Sequence, residues 1–286
     1  MTAITTVGIF SKPNTSAAQT IVPELLQWLA DRTIAYRLDT ETACYAGQPG
    51  GLAREHVPDG CQLIIVLGGD GTLLSAARSV GDREIPLFAV NLGSLGFLAA
   101  ITVDNLFPEL ERSLAGEHKL SKRRMLRVEV EREGQIAARY EALNDVVVTK
   151  SSIARMIEVE VFVNTHYMCS YFADGLILAT PTGSTAYSLA ANGPIVFPTV
   201  DAVCITPICP HTLTNRPVLV PSDVVITVVN RAVDSSAFLT VDGQVGEPLH
   251  EGDRIGCRSA QHFVYLVRSP NKSFFDVLRQ KLKWAD

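Results

Sequence analysis

The sequence predicts an α/β domain over residues 1–120, an all-β domain over residues 121–270, and a last helix within residues 271–286 that returns to the first domain. Three observations carry this reading. Through the first part of the chain, short apolar runs alternate with segments of helical period, the pattern of a parallel sheet covered on both faces. After about Ser121 the period switches to two, and turn residues separate most of the short runs, as in a sandwich or a stack of sheets. Near the end, Phe274, Val277, Leu278 and Leu282 share one face of a single helix, which must bury that face against something. A chain of 286 residues with 47% hydrophobic content builds a large core, near the size at which one core divides into two.

In order, Thr6–Phe10 is the first strand and Ser11–Thr15, with Pro13 and Asn14, a loop. A helix follows to about Arg32, with Val22, Leu25, Leu26 and Leu29 on one face; Pro23 either kinks it or starts its main part. Ala35–Leu38 is a second strand, and Ala46–Pro58 a loop or short helix. Leu63–Leu67 is an unbroken apolar run, hence a buried strand. Gly68, Gly69, Asp70 and Gly71 end it, and helical spacing returns from Thr72 to about Val80, with Leu73, Leu74, Ala76 and Ala77 inward. Pro86–Val90 is another buried strand, running into the glycine-rich Asn91-Leu-Gly-Ser-Leu-Gly-Phe97. Asp104–Ala115 reads as a capped amphipathic helix.

In the second domain, Leu126–Glu133 alternates, and Gly134-Gln135 turns it into Ile136–Ala142. Further strands are Val146–Thr149, Ile157–Val163, Tyr167–Phe172, Leu176–Ala179, Val203–Thr206, Val224–Val229, Ala237–Val241 and Phe263–Val267. The one clear helix there is Ser184–Ala191; the last helix is Ser273–Trp284.

A net charge of −5, from 25 basic and 30 acidic residues, argues against nucleic acid as the main partner. The run Lys122-Arg123-Arg124 reads as a solvated loop. Six scattered cysteines without a C-x-x-C pair read as buried reduced thiols of a cytoplasmic protein, and no signal peptide is apparent. The uncharged stretches Ile85–Val103 and Gly175–Val200 are broken by Gly, Pro, Ser, Thr and Asn, so neither is read as a membrane span. No histidine spacing marks a metal site, and no G-x-S-x-G elbow marks a hydrolase.

Chemistry concentrates in a few segments. The strand, glycine turn and helix start at Leu63–Leu74 form a ready phosphate site, because glycines let backbone N–H groups approach an anion. The turn is neither a P-loop nor a dinucleotide fingerprint. Asp70 stands out, since a carboxylate beside phosphates repels them unless it holds a metal or takes a proton. An ordinary Asp-Gly turn accounts for the same residues. Asn144-Asp145, ahead of an apolar strand, offers donors and acceptors suited to sugar hydroxyls, or simply opens the strand. Ala173–Ala190 gathers hydroxyls and N–H groups at a short helix start, suited to phosphate, ribose or a base edge, with Tyr187 to stack or bond. His211 reads as structural.

Together these blocks resemble the NAD kinase family in its prokaryotic form. The resemblance rests on Gly68-Gly69-Asp70-Gly71-Thr72, Asn91–Phe97, Asn144-Asp145, Asp174-Gly175, TPTGSTAY at Thr180–Tyr187, Pro210-His211, Arg216-Pro217, Val241-Asp242-Gly243-Gln244 and the Phe275…Leu282 helix. GGDGT occurs also in lipid kinases and phosphofructokinases; TPTGSTAY is far more specific. The resemblance implies an N-terminal Rossmann-like α/β domain, a C-terminal β-sandwich domain that binds NAD, and a final helix packing back on the N-terminal domain. It implies transfer of the ATP γ-phosphoryl group to the 2′-hydroxyl of the adenosine ribose of NAD, giving NADP. Asp70 is then the base, Gly68, Gly69 and Gly71 shape the phosphate turn, and Phe97 flanks the adenine. Asn144, Asp145, Asp174, Thr185, Ala186, Tyr187, Ser188 and Gln244 hold NAD. A divalent cation, Mg²⁺, neutralises the triphosphate, and the protein is a homodimer or homotetramer. Two positions depart from the pattern: Phe172, where some relatives carry arginine, and Ser75, a position often basic. A diacylglycerol-type lipid kinase shares GGDGT but not TPTGSTAY or Asn144-Asp145. A non-catalytic NAD sensor has little use for Asp70.

Overall fold

The computed structural model describes residues 4–93, 96–99, 101–151, 156–233, 237–268 and 272–284. Ser94 and Leu95 of the second glycine-rich segment lie outside the described residues. The chain divides into two compact units, Met1–Lys122 with Val264–Asp286, and Arg123–Phe263. The last residues of a strand therefore join the first unit ahead of the final helix.

The first unit alternates β1 (Thr6–Ser11), α1 (Ser16–Ala30), β2 (Ala35–Leu38), α2 (Thr40–Tyr45), β3 (Leu63–Gly68), α3 (Asp70–Val80), β4 (Leu87–Asn91), β5 (Ile101–Thr102) and α4 (Leu106–Leu114). The strands lie in the order β2-β1-β3-β4, all parallel. β3 is apolar throughout because it is buried throughout. Val7, Ile9, Leu63, Ile65 and Leu67 pack with Val22, Leu25 and Leu29 of α1. From β1 the chain moves out to β2, then returns to place β3 on the other side of β1. The carboxyl ends of β1 and β3 therefore meet at a topological switch, where open α/β sheets bind ligands.

One local expectation changes here, and two local details are added. α2 fills the stretch between the predicted second strand and Ala46–Pro58, for which the sequence gives no element: Asp39 caps it, its side chain accepting from Thr42 N at 2.8 Å. α4 lacks the predicted cap; a 3-10 turn, Val103–Asn105, precedes it, and the Asn105 amide is spent on Thr102 Oγ1 at 2.9 Å. Pro23 lies inside α1.

The second unit contains β6 (Leu120–Arg132), β7 (Gln135–Ala142), β8 (Asp145–Lys150), β9 (Ile157–Val163), β10 (His166–Ala173), β11 (Gly175–Ala179), α5 (Tyr187–Ala190), β12 (Ala202–Ile208), β13 (Val218–Pro221), β14 (Ile226–Asn230), β15 (Ala237–Val241), β16 (Val245–Leu249) and most of β17 (Arg254–Val267). One antiparallel sheet runs β13-β12-β11-β8-β15-β16. In the other, β10, β9, β14 and β17 pair antiparallel, and the β6–β7 hairpin joins through β6 to β17. Val146, Val148, Leu176, Leu178 and Leu239 of the first sheet share one core with Val128, Val159, Val161, Val228 and Ile255 of the second: a β-sandwich. The outer face of the first sheet is also covered, with Val147, Ile177, Ala179 and Cys204 packing against Ala191.

The run Lys122-Arg123-Arg124 lies in β6, not in a loop. Arg124 bonds Asp201 at 2.8 Å and covers the Phe263 ring, so its charge is paired and its stem packed. β17 starts at Arg254, nine residues before its apolar end, because Ile255 and Cys257 point inward while Arg254 and Arg258 face out. All six cysteines are free; Cys61, Cys204 and Cys257 are buried, but Cys44 and Cys209 are exposed. His211 is exposed too, its ring set edge-on to Phe172.

After β17, Leu266 pairs with Leu87 of β4 within the first unit. α6 (Phe274–Leu282) follows, opened by a capping box between Ser273 and Asp276, and it buries Val277 and Leu278. No described helix is long and apolar enough to cross a membrane.

Candidate active site

In the first unit the chemistry sits at the switch point. Gly68 ends β3, Gly69 precedes α3, and Asp70 is the helix's first residue rather than a loop residue. An acidic side chain there meets the positive end of the helix dipole. A Cβ on Gly68 would overlap the Thr72 hydroxyl, so only glycine lets α3 start this close to the strand. Asp70 turns toward β4. Its Oδ2 accepts from Phe97 N at 2.8 Å, and its Oδ1 from Leu98 N and Ala99 N, both at 3.1 Å. The two glycine-rich segments are thus one structure, the carboxylate of the first seated on the backbone of the second. Phe97 is fixed by the same bonds, and the Lys281 ammonium of α6 lies 6.0 Å from its ring centre.

On the β1 side of the turn, Lys12 N donates to Leu67 O at 2.8 Å, and Lys12 Cβ lies close to Gly68. Arg54 is bound to the buried Asp39 at 3.0 Å, to Ser75 Oγ at 2.9 Å and to Ser11 O at 3.0 Å. Ser75 is where the family pattern is often basic; here an arginine from elsewhere in the unit reaches it.

In the second unit a pocket of about 270 Å³ runs along one face of β8, from Asp145 past Val147 to Thr149. Asn144, Ala186, Tyr187 and Asp242 complete its Asp145 end. Local sequence explains the wall. Thr180 N donates to Asn144 O at 2.9 Å and Thr180 Oγ1 to Leu143 O at 2.6 Å; Gly183 N donates back to Thr180 Oγ1 at 3.0 Å. Gly183 presses on the Asn144 backbone, where a Cβ would stand 2.7 Å from Asn144 Cα. The hydroxyls of TPTGSTAY are thereby largely spent on the chain itself. Ser184 Oγ bonds Pro181 O, Thr185 Oγ1 bonds Thr182 O, and Ser188, fully buried, bonds Thr206 at 3.0 Å.

Asp242 organises the polar end. Its carboxylate accepts from Leu143 N, Asn144 N and Asp145 N at 2.8–3.2 Å, and its own N–H donates to Asp145 O. Asp145 is buried beside it. Desolvation first, then the neighbouring Asp242 carboxylate, raise the Asp145 carboxyl to about 7, against a bond from Tyr187 N–H. Asn144 Oδ1 is buried with no hydrogen-bond partner. An acceptor left bare and a carboxyl poised to donate or accept suit a ligand with several hydroxyls or a base edge.

Of the predicted residues, Gly68, Gly69, Asp70, Gly71 and Phe97 come together in the first unit, and Asn144, Asp145, Ala186 and Tyr187 in the pocket of the second. Asp174 stands off the lining at the Thr149 end, paired with Lys150 at 2.6 Å. Gln244 lies on the exposed turn between β15 and β16. Three residues had no role in the sequence reading: Gly96, Lys12 and Asp242. Asp242 was visible within Val241-Asp242-Gly243-Gln244, but nothing local shows that it reaches back to residues 143–145.

Among the described residues, no three His, Cys, Asp or Glu side chains converge to hold a metal ion.

Comparison with known proteins agrees over both units. Residues 7–118 match the model of the ATP-NAD kinase N-terminal domain, and residues 143–269 that of the ATP-NAD kinase C-terminal domain. An NAD kinase of Solibacter usitatus is 59% identical over 286 residues, all of both chains. One from Koribacter versatilis is 48% identical, covering 98% of this chain and 99% of its own. Among solved structures, yeast NADH kinase complexed with NADH superimposes with a TM-score of 0.93 at 24% identity, over 100% of this chain and 89% of the other. An NAD kinase from Archaeoglobus fulgidus in complex with ATP gives 0.77 at 24% identity, over 97% and 98%. At that identity the structures speak to the fold alone.

Proposed function

The chain belongs to the NAD kinase family, and from that premise we propose that it transfers the γ-phosphoryl group of ATP to the 2′-hydroxyl of the adenosine ribose of NAD, giving NADP. The observation that carries the reading is identity of 59% along the whole chain. Two structural features support it: a carboxylate fixed in a glycine turn at a switch point, and a separate pocket with a bare acceptor beside a carboxyl group.

Asp70 is the general base. A carboxylate offers about four lone-pair positions, and three are taken here, so Oδ2 keeps the one that can receive the ribose proton. Such a hydroxyl is a poor acid, so the base acts in the transition state, and in-line placement supplies most of the acceleration. Gly68, Gly69 and Gly71 open the turn to the donor phosphates, with the start of α3 behind them. Asn144, Asp145, Ala186 and Tyr187 hold NAD directly. Thr185 and Ser188 act by fixing that wall, Asp174 and Gln244 by contacts at its margins, and Phe97 flanks the adenine. A divalent cation, Mg²⁺, enters as part of the nucleotide substrate and offsets the triphosphate charge. The protein works in the cytoplasm as a homodimer or homotetramer, which sedimentation equilibrium reads directly.

NADP formation from NAD, Mg²⁺ and ATP, measured beside Asp70→Asn, tests the reading. We expect the variant to lose about 10²–10⁴-fold in kcat, the range for removing a positioned base, while still binding NAD. A variant with wild-type turnover overturns the base assignment. Wild-type protein that binds NAD without making NADP overturns the kinase reading in favour of a sensor.

A further inference from the structure

We infer that Gly96 is a positioning residue for Asp70: by having no side chain it lets the carboxylate seat on the N–H groups of Phe97, Leu98 and Ala99, and that seat fixes which oxygen, Oδ2, keeps the acceptor position a base needs. The inference rests on the reading of Asp70 as the base.

Three successive N–H groups pointing at one spot form an anion cradle, and here the chain fills it with its own side chain. Oδ1 takes two of the bonds and Oδ2 one, so the two oxygens differ, and only one keeps acceptor capacity. Asp70 has a short side chain on the first residue of a helix, so it has little room to move elsewhere. A Cβ built on Gly96 would overlap Oδ1 and stand 2.7 Å from Cγ and 2.9 Å from Oδ2. All three carboxyl atoms fall inside the space a methyl group would need. The lack of space for a Cβ is what calls for glycine here. Gly93, in the same segment, has nothing within 4 Å of its own Cβ position. The two glycines are therefore not equivalent, and the difference is Asp70.

Displacing a catalytic group by about 1 Å can cost on the order of 10²-fold, and that is the loss in kcat expected for Gly96→Ala, with KM for ATP unchanged. Gly93→Ala should turn over like wild type. The double variant Gly96→Ala/Asp70→Asn should be no slower than Asp70→Asn alone, because a group already lost cannot be misplaced. Should Gly96→Ala fail to fold, Asp70→Glu makes the same test, keeping the charge but moving it by a methylene.

Hydrogen exchange at residues 97–99 reads the seat without reference to activity. Those amides should be protected in the wild type and lose protection in Asp70→Ala and in Gly96→Ala. Wild-type kcat in Gly96→Ala, or a multiplied loss in the double variant, overturns the inference. Wild-type protein that makes no NADP, with exchange behaving as expected, overturns the kinase reading and leaves the seat standing.

Discussion

Three aspartates take two courses from similar materials. Asp70 and Asp242 each accept three backbone N–H groups and act as anchors for a neighbouring segment. Asp145 gives its space to Asp242 and is pushed up to about 7, burial being the larger cause. The sign of the stability effect follows. An unfolded aspartate ionises near about 3.9, so between that pH and about 7 the folded chain holds a proton that the unfolded chain has lost. Folding stability should therefore fall as pH rises through that window, by an amount on the order of a few kcal/mol. Asp145→Asn cannot ionise and should flatten this part of the profile. Urea unfolding of both proteins at either end of the window measures it; parallel profiles would show that Asp145 titrates normally. No residue in the 143–145 stretch hints at this shift, because its causes, burial first and the Asp242 carboxylate second, arise only in the fold.

At the scale of elements, the strands and helices that bury a continuous apolar run were legible: β3, β4, β8, β11 and α3 can be read from residue types alone. What escaped were edges. β13 and β16 flank the six-stranded sheet, so their residues stay largely exposed and carry no clear period. The polar start of β17 hid an alternation whose inward members are Ile255 and Cys257. The helix expected over Ser184–Ala191 forms as a 3-10 turn, Gly183–Thr185, followed by α5, because Gly183 must lie flat on the Asn144 backbone. That contact makes a prediction. Gly183→Ala should force the turn off residues 144–145, an overpacking cost of about 1–3 kcal/mol. If half of that appears in the ligand, NAD binding weakens by roughly two- to tenfold. Calorimetric titration with NAD is the measurement. Unchanged affinity in a folded variant would mean that the turn and the Asn144-Asp145 wall are not coupled.

At the scale of the molecule, the first unit is closed by residues that come last in the chain. Its sheet takes Leu266 opposite Leu87, and its last helix buries Val277 and Leu278, although 141 residues of the other unit, Arg123–Phe263, intervene. The units also have separate cores: one cluster is built on β1, β3, β4 and α1, the other on the strands of the sandwich. Removing residues 272–286 should therefore damage the two units unequally. Two fully buried aliphatic side chains are worth roughly 3–6 kcal/mol by area, a large share of the stability of any single unit. Exchange followed by mass spectrometry should show β1, β3 and β4 of the truncated protein losing protection while β8, β11 and β15 keep theirs. Equal loss throughout would mean that the chain opens as one cooperative block, and that the separate cores do not act separately. Under the expected outcome, Asp70 and its seat would fail in the truncated protein while the pocket at Asn144-Asp145 persisted. NAD binding without turnover would then arise from the loss of a helix that supplies no base, which separates the binding half of the chemistry from the half that transfers phosphate.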